Sequence, residues 1–377
     1  MEKLKKYKVG FVSSSVGASG GGVSQVVSKH VEYGAKHFEC CSFSPIIDEA
    51  SYLPDTACSI QSKSLFSGKF SIYPSMIKDI CSNDVDILHQ HGIWNFVSIA
   101  VNFAKKKTGI PYVISTHGML DPWILEKSPE IKHLLSYLFQ EKNISSASLI
   151  HALTLKELEQ IRSFGYTGDV AVIPNGIDLQ NFEPKTLKSS EIKFLYLGRL
   201  DKKKNVLNLI KAFQEITRKY SDVCLDIYGW GDASYIEKLI LDSNESDRIN
   251  IHGPVFGSDK EAAFVGANFF ILPSLSEGLP MAVLEAWSYG LPSLISKDCN
   301  LEIGFEANAA ITLGTSVGDI INDVIVALEM GPADYEKMSA SSLRLVRDEF
   351  SWDQVSDQLH AAYLWIINKD EKPSFIY

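Results

Sequence analysis

Short apolar runs and amphipathic stretches alternate along almost the whole chain. Residues 7–13 carry Val9, Phe11 and Val12 and predict a strand. The loop Ser19-Gly20-Gly21-Gly22 follows, and Val26, Val27 and Val31 then recur at helical spacing. Further strands are predicted over 85–88, 111–116, 149–152 and 170–173. Helices are predicted over 93–107, stopped by Gly109, over 128–143, and over 154–164. Thr154 with Glu157 three residues on reads as a capping box for the last of these. Residues 40–80 are rich in Ser, Phe, Tyr and Pro and predict irregular structure with short strands.

Pro174-Asn175-Gly176-Ile177-Asp178 is a turn signature, and a fresh series begins beyond it. Strands are predicted over 192–197, 223–228, 249–252, 269–272, 293–295 and 310–313, with a helix through Leu207, Ile210 and Phe213. A long helical region runs over 333–368, broken near Phe350-Ser351-Trp352. Strands alternating with helices predict an α/β protein with parallel sheets. At 377 residues the chain exceeds a comfortable single core, so two domains are expected, 1–178 and 179–350, with 351–377 as a closing helix.

Composition narrows the class. An apolar fraction of 45% indicates a globular protein, and no apolar run approaches the ~20 residues of a spanning helix. The basic start lacks a signal-peptide core, which predicts a cytoplasmic protein. The net charge of −10 falls entirely on the second half: residues 1–178 hold 17 basic and 17 acidic side chains, the remainder 19 and 29. That balance argues against a nucleic-acid partner. The six cysteines, Cys40, Cys41, Cys58, Cys81, Cys224 and Cys299, show no metal-ligand spacing and are expected to be reduced, buried thiols.

The candidate chemistry gathers where predicted strands end. Residues 274–292 form a strand–loop–helix unit in which Glu277 lies in the loop, Pro280 near the helix start and Glu285 two turns on. Helix N–H groups aimed at the loop make a seat for an anion, and flanking carboxylates suit a ligand that also carries hydroxyls. Arg199 and Lys204, between another strand end and helix start, can clamp a diphosphate. A solvated basic loop is the bland alternative. His117 ends the 111–116 strand, where ligands of open α/β sheets collect. His89 and His91 are read as pointing to opposite faces of their strand. They could ligate a metal, but no nearby Cys or carboxylate completes a site, so structural histidines are preferred. The glycine loop at Gly21 and Gly22 lacks the third glycine of a dinucleotide fingerprint, because Gln25 stands there. Trp123, Ile124 and Leu125, with Leu134, Leu135, Leu138 and Phe139, are read as core in preference to a surface for a lipid-linked acceptor or a membrane.

Glu277-Gly-Leu-Pro-Met-Ala-Val-Leu-Glu285 resembles the Glu-x7-Glu motif of the family 4 glycosyltransferases of GT-B fold. The Gly198-Arg199-Leu200 to Lys204 element is similar to that family's, and Thr116-His117-Gly118-Met-Leu-Asp-Pro-Trp123 resembles bacterial enzymes of surface-polysaccharide synthesis. The resemblance implies two Rossmann-like domains facing a cleft, with the last helix crossing back to the N-terminal domain. It implies a retaining, metal-independent sugar transfer from a nucleotide-sugar donor to a glycan or lipid-linked glycan acceptor, without a cofactor. UDP is favoured over GDP as the carrier. It directs Glu277 and His117 at the donor sugar and Arg199 and Lys204 at the diphosphate. The backbone at Gly278, Leu279 and Pro280 serves sugar or phosphate, Glu285 ribose, and Gly229, Pro254 and Val255 the base. Gly21 and Gly22 lie beneath donor and acceptor in the family. It further suggests peripheral contact with the inner face of the membrane. A nucleotide-sugar epimerase of the same fold and a non-catalytic sugar-nucleotide-binding subunit are the rivals.

Overall fold

A computed structural model of the chain describes residues 6–46, 50–55, 57–65, 71–126, 129–187, 191–243 and 246–377, the side chain of His133 excepted. Two compact units result, Met1–Asn175 with Trp352–Tyr377, and Gly176–Ser351.

Unit 1 begins with strand β1 (Lys8–Ser13), helix α1 (Gly21–Gly34), β2 (Glu39–Pro45), β3 (Cys58–Ser62) and α2 (Pro74–Ser82). It continues through β4 (Ile87–His91), α3 (Phe96–Thr108), β5 (Tyr112–Ser115), α4 (Pro122–Leu125) and α5 (Pro129–Leu135). A π-helical stretch, Ser136–Gln140, leads to α6 (Glu141–Ser145), β6 (Leu149–Ala152), α7 (Leu155–Ser163) and β7 (Val170–Val172). All seven strands are parallel, in the order β3-β2-β1-β4-β5-β6-β7. The region 40–80 is therefore more regular than its sequence indicates: it supplies two sheet strands and a helix that starts on Pro74. The helix predicted over 128–143 is broken into α5, the π-helical turn and α6, and residue 128 lies outside the described residues.

Unit 2 holds β8 (Ile192–Leu197), α8 (Val206–Lys219), β9 (Val223–Tyr228), α9 (Ala233–Ser243), β10 (Ile249–His252), α10 (Gly257–Gly266) and β11 (Phe269–Leu272). Then come α11 (Met281–Ser288), β12 (Ser293–Ile295), α12 (Glu302–Glu306), β13 (Ala310–Thr312), α13 (Val317–Leu328) and α14 (Pro332–Glu349). Its parallel sheet has the order β10-β9-β8-β11-β12-β13. Helices cover both faces, so β11 reads Phe-Phe-Ile-Leu and all four side chains are buried. On α8, Val206, Leu209, Ile210, Phe213 and Ile216 form one buried stripe. Each is worth roughly 1.5–3 kcal/mol of apolar burial.

The last helix, α15 (Trp352–Asn368), returns to unit 1. It lies on α1, where the Ser356 hydroxyl donates to the Tyr33 carbonyl at 3.1 Å and Lys36 pairs with Asp353 at 2.8 Å. Beyond it, Tyr377 and Val170 exchange backbone hydrogen bonds of 2.8 and 3.0 Å, which covers the β7 edge of the sheet.

Backbone pairing continues past the ends of β8 and β9. Gly198 donates to the Tyr228 carbonyl at 3.1 Å and Leu200 to that of Trp230 at 2.8 Å. The approach is so close that a Cβ on Gly229 would stand 1.9 Å from the Gly198 oxygen, and one on Gly231 2.0 Å from that of Leu200. Glycine is required here by contact with backbone that cannot swing away. Gly231→Ala should therefore cost about 1–3 kcal/mol. Urea titration should read this as a lower midpoint at an unchanged slope.

Candidate functional site

In unit 2 the strand order reverses between β8 and β11, and the loops at their carboxyl ends flank the crevice where ligands of open α/β sheets bind. The loop after β8 carries Arg199, a 3₁₀ turn over Lys202–Lys204 capped by Asp201, and then α8. The loop after β11 carries Ser274, Glu277, Gly278, Leu279 and Pro280, and then α11. Leu275 donates its amide to the Lys203 carbonyl at 2.8 Å, which ties the two loops together. The Lys204 ammonium bonds Glu277 Oε1, with only 13% and 9% of the two side chains exposed. Ser274 Oγ donates to the same oxygen at 2.6 Å. Among the described residues, no hydrogen bond reaches Glu277 Oε2.

The backbone of this loop is fixed from behind. The Glu277 amide donates to the Asp298 carbonyl at 3.0 Å. Asn300, in the left-handed region at φ 55°, donates its side-chain amide to the carbonyls of Glu277 at 2.6 Å and Gly278 at 3.2 Å. Among the described residues, the amides of Gly278 and Leu279, next to the N-terminus of α11, have no hydrogen-bond acceptor. Arg199 stands 55% exposed at the neighbouring strand end, 3.7 Å from Asp201. Two cations, unspent amides and a free carboxylate oxygen thus share one strand-end crevice. This is the equipment for an anion that also bears hydroxyls.

Glu285 bonds Lys260 of α10 at 2.6 Å. Gly229, Pro254 and Val255 follow β9 and β10, and the Gly229 amide reaches the Gly253 carbonyl at 3.3 Å. Among the described residues, no hydrogen bond joins these three to the Lys204–Glu277 pair.

In unit 1 the order reverses between β1 and β4. Gly21 and Gly22 open α1, both exposed, and a Cβ at either would meet nothing within 4 Å. Gly20 is the constrained glycine of this loop, since its Cβ would stand 2.0 Å from Ser24 Oγ. His117 sits at φ 50° beyond β5, with Nε2 3.0 Å from His91 Nδ1. Burial, and secondarily the neighbouring His151, push its pKa down to about 3, so the ring works as a neutral hydrogen-bonding group. The turn is bolted by buried Glu157 of α7. Its carboxylate accepts from the Gly118 amide at 2.5 Å, the Thr116 hydroxyl at 2.5 Å and the Leu153 amide at 2.7 Å. Half of the predicted capping box forms, because Thr154 Oγ1 accepts from the Glu157 amide. The carboxylate itself turns inward to the His117 loop.

Residues 178–333 match the family described as "Glycosyl transferases group 1", and residues 20–181 match "Glycosyltransferase Family 4". Together the matches run from residue 20 to residue 333. The chain belongs to the group 1 glycosyltransferases. An Escherichia coli UDP-Gal:alpha-D-GlcNAc-diphosphoundecaprenol alpha-1,3-galactosyltransferase is 29% identical over 59% of this chain and 60% of its own length. An Escherichia coli O-antigen chain mannosyltransferase B is 25% identical over 57% of this chain and 55% of its own. The chain thus spans under two thirds of the length of these relatives. A sucrose-phosphate synthase from Thermosynechococcus elongatus superimposes with a TM-score of 0.73, over 97% of this chain and 100% of that one, at 16% identity. A putative UDP-N-acetylglucosamine 2-epimerase from Listeria monocytogenes superimposes at 0.60, over 98% of each chain, at 14% identity. The fold is GT-B.

Three features of the structure depart from what the sequence pattern predicts. His89 and His91 are two apart in β4 and share a face, their ring centroids 4.3 Å apart, because strand side chains alternate with period two. The apolar face of the 123–139 region is not core: Trp123 is 48% exposed and Tyr137 84%, and Ile131, Leu134 and Leu138 are also open. Cys58 is exposed and Cys40 and Cys81 are half-buried; only Cys41, Cys224 and Cys299 are buried. Lys260, Ser274, Asn300 and Glu157 join the site neighbourhood without having been singled out for it. Ser274 and Glu157 lie inside recognised motifs, whereas Lys260 and Asn300 carry no sequence signal.

The Lys204–Glu277 pair is open to a direct test. Removing one partner leaves the other charge buried, at a cost of about 3–5 kcal/mol. Lys204→Met and Glu277→Gln should each lower the urea midpoint, while the double variant recovers part of the loss. Additive losses in the double-mutant cycle would show that the pair carries no coupling.

Proposed function

We propose that the chain is a retaining glycosyltransferase that moves a sugar from a nucleotide-sugar donor to a hydroxyl of a lipid-linked glycan during cell-surface polysaccharide synthesis. The observation that carries the reading is the convergence in unit 2 of Arg199, Lys204, the Gly278 and Leu279 amides and the free oxygen of Glu277. Arg199, Lys204 and the amides receive the diphosphate and stabilise the charge that develops as it leaves. Glu277 Oε2 accepts from a sugar hydroxyl, while Oε1 stays anchored to Lys204 and Ser274. Glu285 takes ribose, steadied by Lys260, and Gly229, Pro254 and Val255 border the base. Pro280 sets the start of α11. In unit 1, His117 offers a neutral ring to the sugar, and Gly21 and Gly22 leave an open approach at the start of α1. A UDP-sugar is favoured over a GDP-sugar, in line with the first relative's name. Its diphosphoundecaprenol acceptor also suits the exposed Trp123, Ile131, Leu134, Tyr137 and Leu138, which would meet a lipid-linked acceptor at the inner membrane face. No described helix is long and apolar enough to cross a membrane.

A panel of nucleotide sugars tests the donor. One present at 100 times its Kd should stabilise the protein by about 2.7 kcal/mol in a thermal shift. Arg199→Ala should keep the wild-type melting point, because its side chain is exposed. It should lose roughly one to two decades in transfer rate, the worth of one charge-assisted contact at about 1.5–3 kcal/mol. A full rate in Arg199→Ala would remove the diphosphate assignment. Sugar product formed from donor alone, without acceptor, would favour the epimerase reading.

The diphosphate is met by cations of the protein, so added Mg²⁺ or Mn²⁺ should leave the transfer rate of the desalted enzyme unchanged. The Asp84-Val85-Asp86 tract lies at the amino end of β4, where Asp86 accepts the Lys8 amide at 2.7 Å. Asp84→Asn with Asp86→Asn should accordingly transfer at the wild-type rate. A rate that requires either ion would overturn the electrostatic assignment.

A further inference from the structure

Three imidazoles meet inside unit 1 and are not used by the sugar-transfer site. His30 comes from α1, and His89 and His91 from the shared face of β4. One nitrogen from each lies within 4.8 Å of the others, and the rings are 3%, 0% and 1% exposed. Among the described residues, neither nitrogen of His30 has a hydrogen-bond partner, nor does Nε2 of His91. Buried polar atoms are almost always satisfied, and a ligand held between the rings would satisfy one nitrogen of His30 and Nε2 of His91.

The chemistry of the donors selects the ligand. A neutral imidazole offers a lone pair to a borderline-soft cation. On His91 and His89 the opposite ring nitrogen is already oriented, as in ligating histidines. His91 Nδ1 faces His117 Nε2 at 3.0 Å, and His89 Nδ1 faces the Tyr363 hydroxyl at 2.5 Å. His89 Nε2 bonds Ser115 Oγ at 2.7 Å, but that hydroxyl has a second partner in His151 Nδ1 at 2.7 Å. The His89 ring can therefore turn from Ser115 to an ion and keep Tyr363. Closing nitrogen–nitrogen separations of up to 4.8 Å to the roughly 3.3 Å set by tetrahedral metal–nitrogen bonds of about 2.0–2.1 Å takes modest pivoting of three rings. With no carboxylate in the cluster, a hydroxide in the fourth position would offset the charge, as three-histidine zinc sites allow.

We infer that His30, His89 and His91 bind one divalent first-row transition ion, zinc foremost, in the core of unit 1. The ion sets the His91 tautomer: Nε2 faces the metal and Nδ1–H donates to His117, which leaves His117 Nδ1–H pointing away from the cluster.

Metal content tests the site independently of the transfer reaction. The full chain, purified without a histidine tag or chelator, should contain about one zinc per chain by elemental analysis. Replacement by Co²⁺ should give the intense visible bands of a tetrahedral site. His30→Phe, which fills the same space without a donor, should keep the circular dichroism of the wild type and lose both signals. Should that variant fail to fold, the stripped wild-type protein decides. Its melting temperature should rise with Zn²⁺ and not with Mg²⁺. Substoichiometric zinc and no cobalt bands in the wild type, or equal metal in a folded His30→Phe, would overturn the site and leave buried water as the partner of these rings.

Discussion

A carboxylate held against a lysine at the reversal point of a parallel sheet organises unit 2. Glu277 and Lys204 are 73 residues apart and come from loops with no local reason to meet. They meet because β8 and β11 are neighbours. Desolvation makes the pair costly unless its remaining valences are filled, and the surroundings fill them. Ser274 takes the second position on Oε1, Asn300 holds the carbonyls behind, and Leu275 is tied to Lys203. The same bonds that satisfy the pair keep the Gly278 and Leu279 amides open. Positioning and ligand capacity are thus one arrangement.

Unit 1 follows a similar logic with different groups. Its reversal point lies between β1 and β4, and the interior beside it is polar to an unusual degree. His30, His89, His91 and His151 are all buried there, with Ser115 and Tyr363 among their partners. Glu157 contributes a carboxylate whose Oε1 accepts from the turn carrying His117 and whose Oε2 accepts the Leu153 amide. Burial raises the pKa of that carboxyl while the three donors oppose the rise. A rigid turn at positive φ is retained because surrounding bonds over-determine it.

Much of the architecture was legible in the order of apolar runs. A parallel strand covered on both faces is apolar throughout, so 269–272 announces itself, and Gly109 and Thr154 mark helix ends with known stereochemistry. The region 40–80 was not legible. β2 and β3 lie at one edge of the sheet and carry Ser, Cys and Gln in place of an apolar run. The exposed face at 123–138 deceived for the opposite reason. Its apolar spacing matches a core helix, and nothing local says that no element covers it.

The sequence by itself determined the strand–helix alternation and the strand-end motifs around Glu277, Arg199 and His117. These depend on neighbours within one or two turns of chain. Only the tertiary structure decided which of those residues touch. Lys204 is bonded to Glu277; Lys260 holds Glu285; His30 joins His89 and His91 from another element. Such contacts are set by strand order and helix placement, which bring together residues far apart in the chain. Periodicity reports which face of an element is buried, and carries no information about what it is buried against.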